Sequence, residues 1–413
     1  MTMAISRYGA RVLPNTEQII ADVAARGEFL EGPQVAQFEQ AFAAWLGGDV
    51  RAVAASYGRM AFHYILMALD LPKGADIVFP ALTFWVMPEV ARAAGFNPVF
   101  ADVDPLTFNM TPESFARVIT PKTAAVVPTH LWGLPCDMDG ILDLARQHGA
   151  VVIEDCAHAL GATYRGKQVG TLGDAAIFSL QTLKPLNTYG GGMAVAHDPG
   201  LAARIATLVA AEPAPTEALV KKHLRLGRMQ RVTIRPNVFS FTLFPILWAS
   251  AYLKWNPDVY FWEKIRPLSP LPMEYRERYS NVQAVIGLEA LKHLNEWTAV
   301  TQTHAKRVME ILRPVFGIRF PEVPDDRTHA FYQFCAYLPN RDASVLACLK
   351  RGVDLETLHV DVCPHMAIFG GSKAPVPGAD ATTAAVQIPV YESLTPAQVE
   401  RVAQVVAQSA AAR

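Results

Sequence analysis

A series of short apolar, β-rich segments constrains the fold of this chain more than any other feature. They recur roughly every 20–25 residues, and helical stretches such as 138–147 lie between them. The segments span residues 77–79, 99–101, 124–127, 151–153 and 175–178. Several lack alternating polar residues, as do strands of a parallel sheet that are buried on both faces. The sequence therefore predicts an α/β fold with a mostly parallel sheet.

Charge and cysteine content narrow the class of protein. The chain has 413 residues, of which 37 are basic and 38 acidic, so its net charge of -1 creates no global field that would attract nucleic acid. Its five cysteines are scattered and never form a Cys-x-x-Cys motif, which predicts neither a disulfide framework nor a metal site. Residues 1–15 lack the apolar core of a secretory signal, and we expect a cytoplasmic protein.

Polar and aromatic residues follow four of the predicted strands at the point where each strand ends. These residues are 80–84, Thr129, His130, Glu154, Asp155 and Ser179. Ligands of open α/β sheets bind at the carboxyl ends of the strands. The sequence therefore predicts one cleft at this edge of the sheet.

Asp155 and Lys184 are the residues in this region with the clearest chemical meaning. The 29 residues that separate them (184 − 155) correspond to about one β-turn-β unit, which places both at the same sheet edge. A lysine amine can form a Schiff base with pyridoxal 5'-phosphate (PLP), and a carboxylate can keep the ring nitrogen of that cofactor protonated. Taken singly, a loop lysine is usually a solvated charge, and Asp155 could be a helix N-cap.

The residues around this pair resemble a known family. The stretches VIEDCAHALGATYRGK (152–167), VGTLGD (169–174), FSLQTLK (178–184) and GGG (190–192) are similar to the DegT/DnrJ/EryC1/StrS family of PLP-dependent aminotransferases. The similarity runs from about residues 28–33 to 388–389. It implies a type I aminotransferase fold, with a large domain around the sheet and a small C-terminal α/β domain. It divides the chain into an N-terminal arm (1–30), a PLP-binding domain (31–218), an insert (219–280) and a C-terminal part (281–413).

The resemblance also implies roles for residues at the sheet edge. Lys184 corresponds to the Schiff-base lysine and proton carrier, and Asp155 to the partner of the pyridine nitrogen. His158 occupies the position beside the phenolic oxygen of the cofactor, and Phe84 that of the aromatic residue that stacks on the ring. From the residues alone, His158 could instead be a core histidine, and Trp85 competes with Phe84.

A second group of residues corresponds to the phosphate site of the family. Ser179 and Gln181 match a polar pair before the lysine, and Ser179 is expected to bind phosphate. Gly58, Arg59 and Met60 match a turn whose backbone N–H groups bind phosphate at a helix start.

The chain departs from the family pattern at several positions. Arg59 replaces a threonine, and an arginine can pair with phosphate in a bidentate manner. Pro185 replaces an asparagine, and Gly190 a glutamate. Arg278 lies in a motif that in the family reaches the phosphate of the neighbouring subunit, which implies a homodimer with shared active sites.

The segment 219–262 is the least familiar part of the sequence. It begins with a basic stretch and continues with residues 238–253, which are rich in Phe, Leu, Ile and Trp and carry no charge. These 16 residues include Pro245 and fall short of the roughly 20 needed to cross a bilayer. Either a hairpin that packs on a dimer partner or an element bound to a membrane surface or lipid would account for the segment.

The predicted function is transfer of an amino group from glutamate or glutamine to a keto or aldehyde acceptor. The acceptor implied by the resemblance is a keto-sugar or a related biosynthetic intermediate, and the apolar segment allows a lipid-linked one. One alternative is a regulatory or membrane-associated protein that binds PLP without turnover, since Arg59, Pro185 and Gly190 depart from the family pattern. Another is a PLP-dependent sugar dehydratase, but relatives of that kind carry histidine in place of Lys184.

Overall fold

The computed structural model describes residues 3–253, 264–357 and 360–411. The strands are β1 (Arg51–Ala55), β2 (Asp76–Pro80), β3 (Leu82–Thr83), β4 (Asn97–Ala101), β5 (Thr123–Val126), β6 (Val151–Asp155), β7 (Thr163–Tyr164), β8 (Lys167–Gln168), β9 (Ala175–Ser179), β10 (Gly192–Ala196), β11 (Phe334–Tyr337), β12 (Glu356–Thr357), β13 (Asp361–Val362) and β14 (Ala385–Ile388). The helices are α1 (Thr16–Ala25), α2 (Gln34–Leu46), α3 (Gly58–Leu69), α4 (Val86–Ala93), α5 (Pro112–Ala116), α6 (Met138–His148), α7 (Pro199–Ala210), α8 (Glu217–Thr233), α9 (Pro236–Phe239), α10 (Leu243–Leu253), α11 (Asn281–Leu312), α12 (Arg341–Lys350), α13 (Pro377–Thr382) and α14 (Pro396–Ala411).

A seven-stranded sheet forms the centre of the described part of the chain, in the order β1-β10-β9-β6-β5-β2-β4. Neighbouring strands from β9 to β4 run parallel, whereas β10 is antiparallel to both β9 and β1. All five segments predicted as strands lie in this sheet, which confirms the predicted α/β fold. The pattern did not identify β1 and β10, because both consist largely of alanine, glycine and other residues with weak strand preference.

Helices cover both faces of the sheet. On one face, α3, α4 and α7 pack over a core that includes Phe62, Ile65, Phe79 and Val90. On the other face, α2 and α11 cover Phe178, and Phe42 makes an edge contact with that ring at 5.1 Å between centroids. This three-layer arrangement leaves the carboxyl ends of the parallel strands as the open edge of the sheet.

The helix α11 connects the two cores of the described chain and is 32 residues long. Its first half packs in the core beside α2, and its last turns pack against the C-terminal elements. Those elements are the small sheet β11-β14-β12 with α12 and α14.

The N-terminal segment pairs with this C-terminal part. Ile5 forms a parallel bridge with Val353, and Arg7 binds both carboxylate oxygens of Asp354 at 2.8 Å. Such a bidentate arginine–carboxylate pair is among the stronger polar contacts, because the guanidinium group forms two parallel charge-assisted hydrogen bonds with one carboxylate. The chain termini are thereby joined in one structural unit.

Candidate active site

Asp155 lies at the open edge of the sheet, at the end of β6. Backbone hydrogen bonds tie it to both neighbouring strands: its N–H donates to Pro128 O at 2.9 Å, and the next N–H, that of Cys156, donates to Ile177 O at 2.9 Å. Thr129 and Asp155 form a parallel bridge, so the ends of β5 and β6 meet here. The predicted convergence of polar strand ends is thus present at Thr129 and Asp155.

The Asp155 carboxyl group is buried, with 5% of the residue exposed. Burial raises its pKa, while the N–H of Ala157, which donates to Oδ1 at 3.0 Å, and the nearby Lys184 act in the opposite direction. A turn follows the strand at residues 157–161, and no α-helix of the described chain begins there. The carboxylate is therefore not a helix N-cap.

Lys184 is held in the loop between β9 and β10. The loop closes on Leu180, whose carbonyl accepts from Thr188 N–H at 3.1 Å and from Gly190 N–H at 3.3 Å, and the Lys184 N–H donates to Gln181 O at 2.9 Å. Burial lowers the pKa of Lys184 to about 7, against the influence of the Asp155 carboxylate. An amine with this pKa is largely neutral above pH 7 and is then a competent nucleophile.

Tyr332 contacts the lysine from the far end of the chain. The Nζ of Lys184 lies 4.5 Å from the centroid of the Tyr332 ring, within the range of a cation–π contact. Tyr332 precedes β11, in a connection that includes the positive-φ residue Phe331. Sequence reasoning missed Tyr332, because no local motif links it to the lysine loop.

His158 is one layer of a ring stack that reaches Tyr332. Its ring lies 4.4 Å from that of Tyr332 with an interplanar angle of 28°, and 5.4 Å from that of Trp132 with an angle of 18°. The stack holds the imidazole at the same edge as Lys184. Trp132 is fully buried, and it too was not identified from the sequence.

Glu154 is buried next to Asp155 at the end of β6 and is the centre of a hydrogen-bond network. Its carboxylate accepts four hydrogen bonds: from His130 Nε2 at 2.9 Å and from the N–H groups of Gly170, Leu172 and Gly173 at 2.7–2.8 Å. Burial opposes ionisation of Glu154, but these donors outweigh it and lower the pKa of the carboxyl group. The Cys136 N–H donates to Nδ1 of His130 at 3.0 Å, so the proton of this imidazole resides on Nε2. The network fixes the ends of β5 and β6.

The turn before α3 lies directly against the end of β9. A Cβ at Gly58 would meet Phe178 O at 3.2 Å and Ser179 Cβ at 3.3 Å, so any larger residue would require the end of β9 to shift by a few tenths of an ångström. The structure therefore brings together two predicted phosphate-site residues, Gly58 and Ser179. The Met60 side chain is buried in the core, and its N–H donates to Tyr57 O at 3.1 Å.

Arg59 is surrounded by aromatic rings. Its guanidinium carbon lies 5.0 Å from the Tyr275 ring centroid, 5.6 Å from that of Tyr57 and 5.8 Å from that of Phe84, and Nη1 donates to the Tyr275 hydroxyl at 3.0 Å. Trp85 is buried in the core, whereas Phe84 is half-buried and faces this cluster. Phe84 and Arg59 are thus placed together.

Two further candidates have less direct contacts. Gln181 is half-buried in the lysine loop, where its carbonyl accepts from Lys184. Arg278 is at the surface. Its Nη2 pairs with a carboxylate oxygen of Glu31 at 2.5 Å, and its backbone N–H donates to Pro213 O. Arg278 makes no hydrogen bond with the other candidate residues in the described parts of the chain. A role for it in the site of a second chain stays a prediction.

Known proteins resemble this chain in sequence and in fold. The sequence model of the DegT/DnrJ/EryC1/StrS aminotransferase family matches residues 14–233 and 256–407. The spore coat polysaccharide biosynthesis protein SpsC of Bacillus subtilis is 29% identical over 94% of this chain and 92% of its own. GDP-perosamine synthase of Caulobacter vibrioides is 42% identical over 43% of this chain and 47% of its own. The crystal structure of the aminotransferase TlmJ from Streptoalloteichus hindustanus superposes with a TM-score of 0.79, at 26% identity and 99% coverage of both chains.

Proposed function

The chain belongs to the DegT/DnrJ/EryC1/StrS aminotransferase family, and from this premise we propose that it transfers an amino group from glutamate or glutamine to a keto-sugar. It is an aminotransferase with the α/β fold of PLP-dependent enzymes. The observation that carries the proposal is the placement of the half-buried Lys184 side chain and the buried Asp155 carboxyl at the open edge of the sheet, where each influences the pKa of the other.

The residues at this edge fit the PLP cofactor that the family uses. Lys184 offers a half-buried amine of lowered pKa and Asp155 a buried acid. Gly58 and Ser179 lie at a close turn with backbone donors at a helix start. The hydroxyl of Thr129 is buried beside Asp155 and has no hydrogen-bond partner among the described residues. An orphaned polar atom at this place favours a ligand with polar groups.

Each residue would then have a distinct task. Bound PLP supplies a ring that withdraws electrons from the substrate carbon that loses its proton. Asp155 would hold a proton on the ring nitrogen, because a buried carboxylate stabilises a neighbouring positive charge. Lys184 would carry the proton between substrate atoms through Nζ, and the stack of Trp132, His158 and Tyr332 would exclude water from that path.

The phosphate group would bind at the turn before α3. Arg59 there offers five N–H donors in place of a threonine hydroxyl, and its aromatic neighbours Tyr57, Tyr275 and Phe84 fix its position. Phe84 would lie against the ring face. We expect Ser179 to donate its hydroxyl to the same phosphate.

A keto-sugar acceptor is supported by the relatives. GDP-perosamine synthase and the spore coat polysaccharide protein SpsC are named for sugar biosynthesis, and both resemble this chain in sequence. A lipid-linked acceptor is a narrower form of the proposal, favoured by the exposed apolar side chains of α10. The dehydratase alternative is disfavoured, since Lys184 is present.

A half-reaction assay tests the proposal without knowledge of the acceptor. The PLP-loaded protein is mixed with glutamate or glutamine, and release of 2-oxoglutarate or its amide is followed together with the visible spectrum of the cofactor. We expect stoichiometric release from the parent protein and none from Lys184→Ala. The surface variant Lys167→Ala serves as the matched control and should behave as the parent does.

The acceptor is then sought with the amino-loaded protein and a panel of nucleotide-linked keto-sugars. Return of the original spectrum identifies an acceptor. A parent protein that binds PLP but releases no keto acid from either donor would contradict the proposed reaction and favour a regulatory role.

A further inference from the structure

The helices α8, α9 and α10 carry an unusual combination of charge and exposed apolar surface. Residues 218–253 contain six basic residues and no acidic one, in a chain whose net charge is -1. Residues 234–255 lie between the two blocks that match the family. The family match thus accounts for α8 but not for α9 and α10, and neither the basic residues nor the exposed apolar surface has a role in the proposed amino transfer.

The exposed side of α10 is apolar and aromatic. Pro245, Trp248 and Tyr252 follow one another at intervals of three and four residues, which puts them on one side of the helix, and Phe241 lies in the turn just before it. Phe241 is 69% exposed, Tyr252 53% and Trp248 42%. The opposite side is anchored, since Ser250 is buried there, and α10 also contacts α12, where Nζ of Lys350 lies 4.7 Å from the Tyr252 ring centroid. The helix is therefore fixed to the protein with its aromatic side outward.

The exposed side of α8 mixes basic and apolar residues. Leu226, Met229 and Val232 are exposed, and Lys222 and Arg225 lie on the same side of the helix. Farther along, Arg235 is exposed at the start of α9.

The basic residues of α8 fall into two groups. Lys221 pairs with Glu217, and Arg228 and Arg231 contact Glu17. Lys222, Arg225 and Arg235 form no ion pair with the residues that the structure describes. Three positive charges thus remain available to an anionic partner.

We propose that α8, α9 and α10 form a docking surface for an anionic lipid bilayer. Basic residues next to exposed aromatic and aliphatic side chains suit the headgroup region, where phosphates attract the cations and the rings enter the acyl boundary. The 11 residues of α10 span about 16 Å, half of a bilayer core, so the helix would lie along the surface. Within the described ranges, no helix combines the length and apolar character needed to cross a membrane.

A second copy of the chain fits this surface less well. In a symmetric contact the same surface of both protomers meets, so Lys222, Arg225 and Arg235 of each chain would enter one interface to which residues 218–253 bring no acidic residue, and like charges at short range oppose association. An anionic lipid surface compensates all three charges at once.

Vesicle binding by the full PLP-loaded protein tests the proposal. Co-sedimentation is measured with phosphatidylcholine vesicles and with vesicles that also contain phosphatidylglycerol, at low and high salt. We expect binding to the anionic vesicles at low salt, and weaker binding at high salt because ions screen the basic residues. The triple change of Lys222, Arg225 and Arg235 to Gln should lower the partition coefficient on the order of 100-fold.

Matched variants separate the surface from general effects. Changing Lys73, Lys122 and Lys167 to Gln removes the same charge from exposed positions elsewhere and should leave binding unchanged. Trp248→Ser should weaken binding, whereas Phe316→Ser, at a residue that is 98% exposed, should not. The cofactor spectrum of every variant should match that of the parent, which verifies folding.

Two results would overturn the proposal. One is that the parent protein does not bind anionic vesicles at low salt. The other is equal loss of binding in the two charge variants. If the parent ignores vesicles and Trp248→Ser lowers the oligomeric state in light scattering, the surface belongs to an interface between copies of this chain. Loss of vesicle binding would leave the half-reaction intact, so the two proposals fail separately.

Discussion

The Nζ of Lys184 lies 4.5 Å from the centroid of the Tyr332 ring, although the two residues come from distant parts of the chain. The lysine sits in the loop after β9, and the tyrosine immediately precedes β11. The half-buried ring contacts the amine and at the same time stacks on His158. The position of the amine therefore depends on a residue outside the central sheet.

Replacing Tyr332 tests that dependence. Tyr332→Phe keeps the ring face and the stack, so kcat/KM should stay within about threefold of the parent value. Tyr332→Ala removes the contacts with Lys184 and His158, and we expect a loss of about tenfold, the scale of a partly buried cation–π contact. Steady-state kinetics with the identified acceptor measures both variants. Equal losses in the two would mean that the hydroxyl, not the ring, is the group that matters.

Asp155→Asn should retain the cofactor but lose most of the activity. The amide keeps the shape of the side chain, yet it cannot hold a proton on the ring nitrogen through its charge, so the half-reaction rate should fall by at least about a hundredfold. Stopped-flow absorbance with glutamate measures the rate. Asp198→Asn, which changes the cap of α7, is the control and should react at the parent rate. A loss below tenfold for Asp155→Asn would remove Asp155 from the proposed mechanism.

The lowered pKa of Lys184 predicts the pH dependence of cofactor capture by the protein without PLP. Only the neutral amine attacks an aldehyde, so the rate should rise as pH increases through about 7 and then level off. An ordinary lysine would continue to gain reactivity up to a pH of about 10.4. Stopped-flow mixing with PLP across this range distinguishes the two profiles. A rate that still climbs above pH 9 would contradict a buried amine.

The same pKa has a defined effect on stability. Between pH 7 and 10, the unfolded chain binds a proton at Lys184 that the native protein without cofactor largely lacks, so the Lys184 contribution to the free energy of unfolding rises with pH in this window. Urea unfolding of the parent and of Lys184→Ala should show it as a difference in slope. Below about pH 7 both states bind the proton and the difference should flatten.

Mixing two inactive variants tests whether two chains build one site. Lys184→Ala lacks the amine, and Arg278→Ala lacks a surface arginine that we expect to reach the neighbouring chain. In mixed dimers, one of the two sites would contain both wild-type residues, and recovery should approach about a quarter of the parent activity after random exchange. Each variant incubated alone provides the baseline. No recovery after verified exchange would place Arg278 in the site of its own chain or outside it.

The sequence predicted the strands that can be identified from a short run of neighbouring residues. The strands β2, β4 and β6 contain runs of β-branched or aromatic residues, and β5 and β9, with two alanines each, were identified as apolar segments of the recurring pattern. The spacing of Asp155 and Lys184 indicated correctly that they share one edge. The alanine-rich strands β1 and β10 were not identified, since their place in the sheet depends on tertiary pairing, of β10 with β9 and of β1 with β10.

Residues that act across long sequence distances could not be predicted in this way. Tyr332 reaches His158 only because the connection before β11 packs on the sheet edge, whereas Trp132 reaches it from the turn after β5. His130 and Glu154 were noted as strand-end residues, but their mutual hydrogen bond and the three backbone donors to Glu154 required the folded loop 170–173. Periodicity carries no information about such contacts.

The long helix α11 makes the two halves of the chain mechanically and thermally dependent on each other. Ile286 and Leu294 near its start belong to the core under α2, while Val308 and Leu312 near its end belong to the core under α14. A helix of 32 residues receives most of its stability from such tertiary packing. If either core unfolds, α11 loses the contacts that hold one of its ends, and the other core then packs against a less stable helix. Heat should therefore melt the two cores together in one cooperative event, and a destabilising change in either half should lower the melting temperature of both.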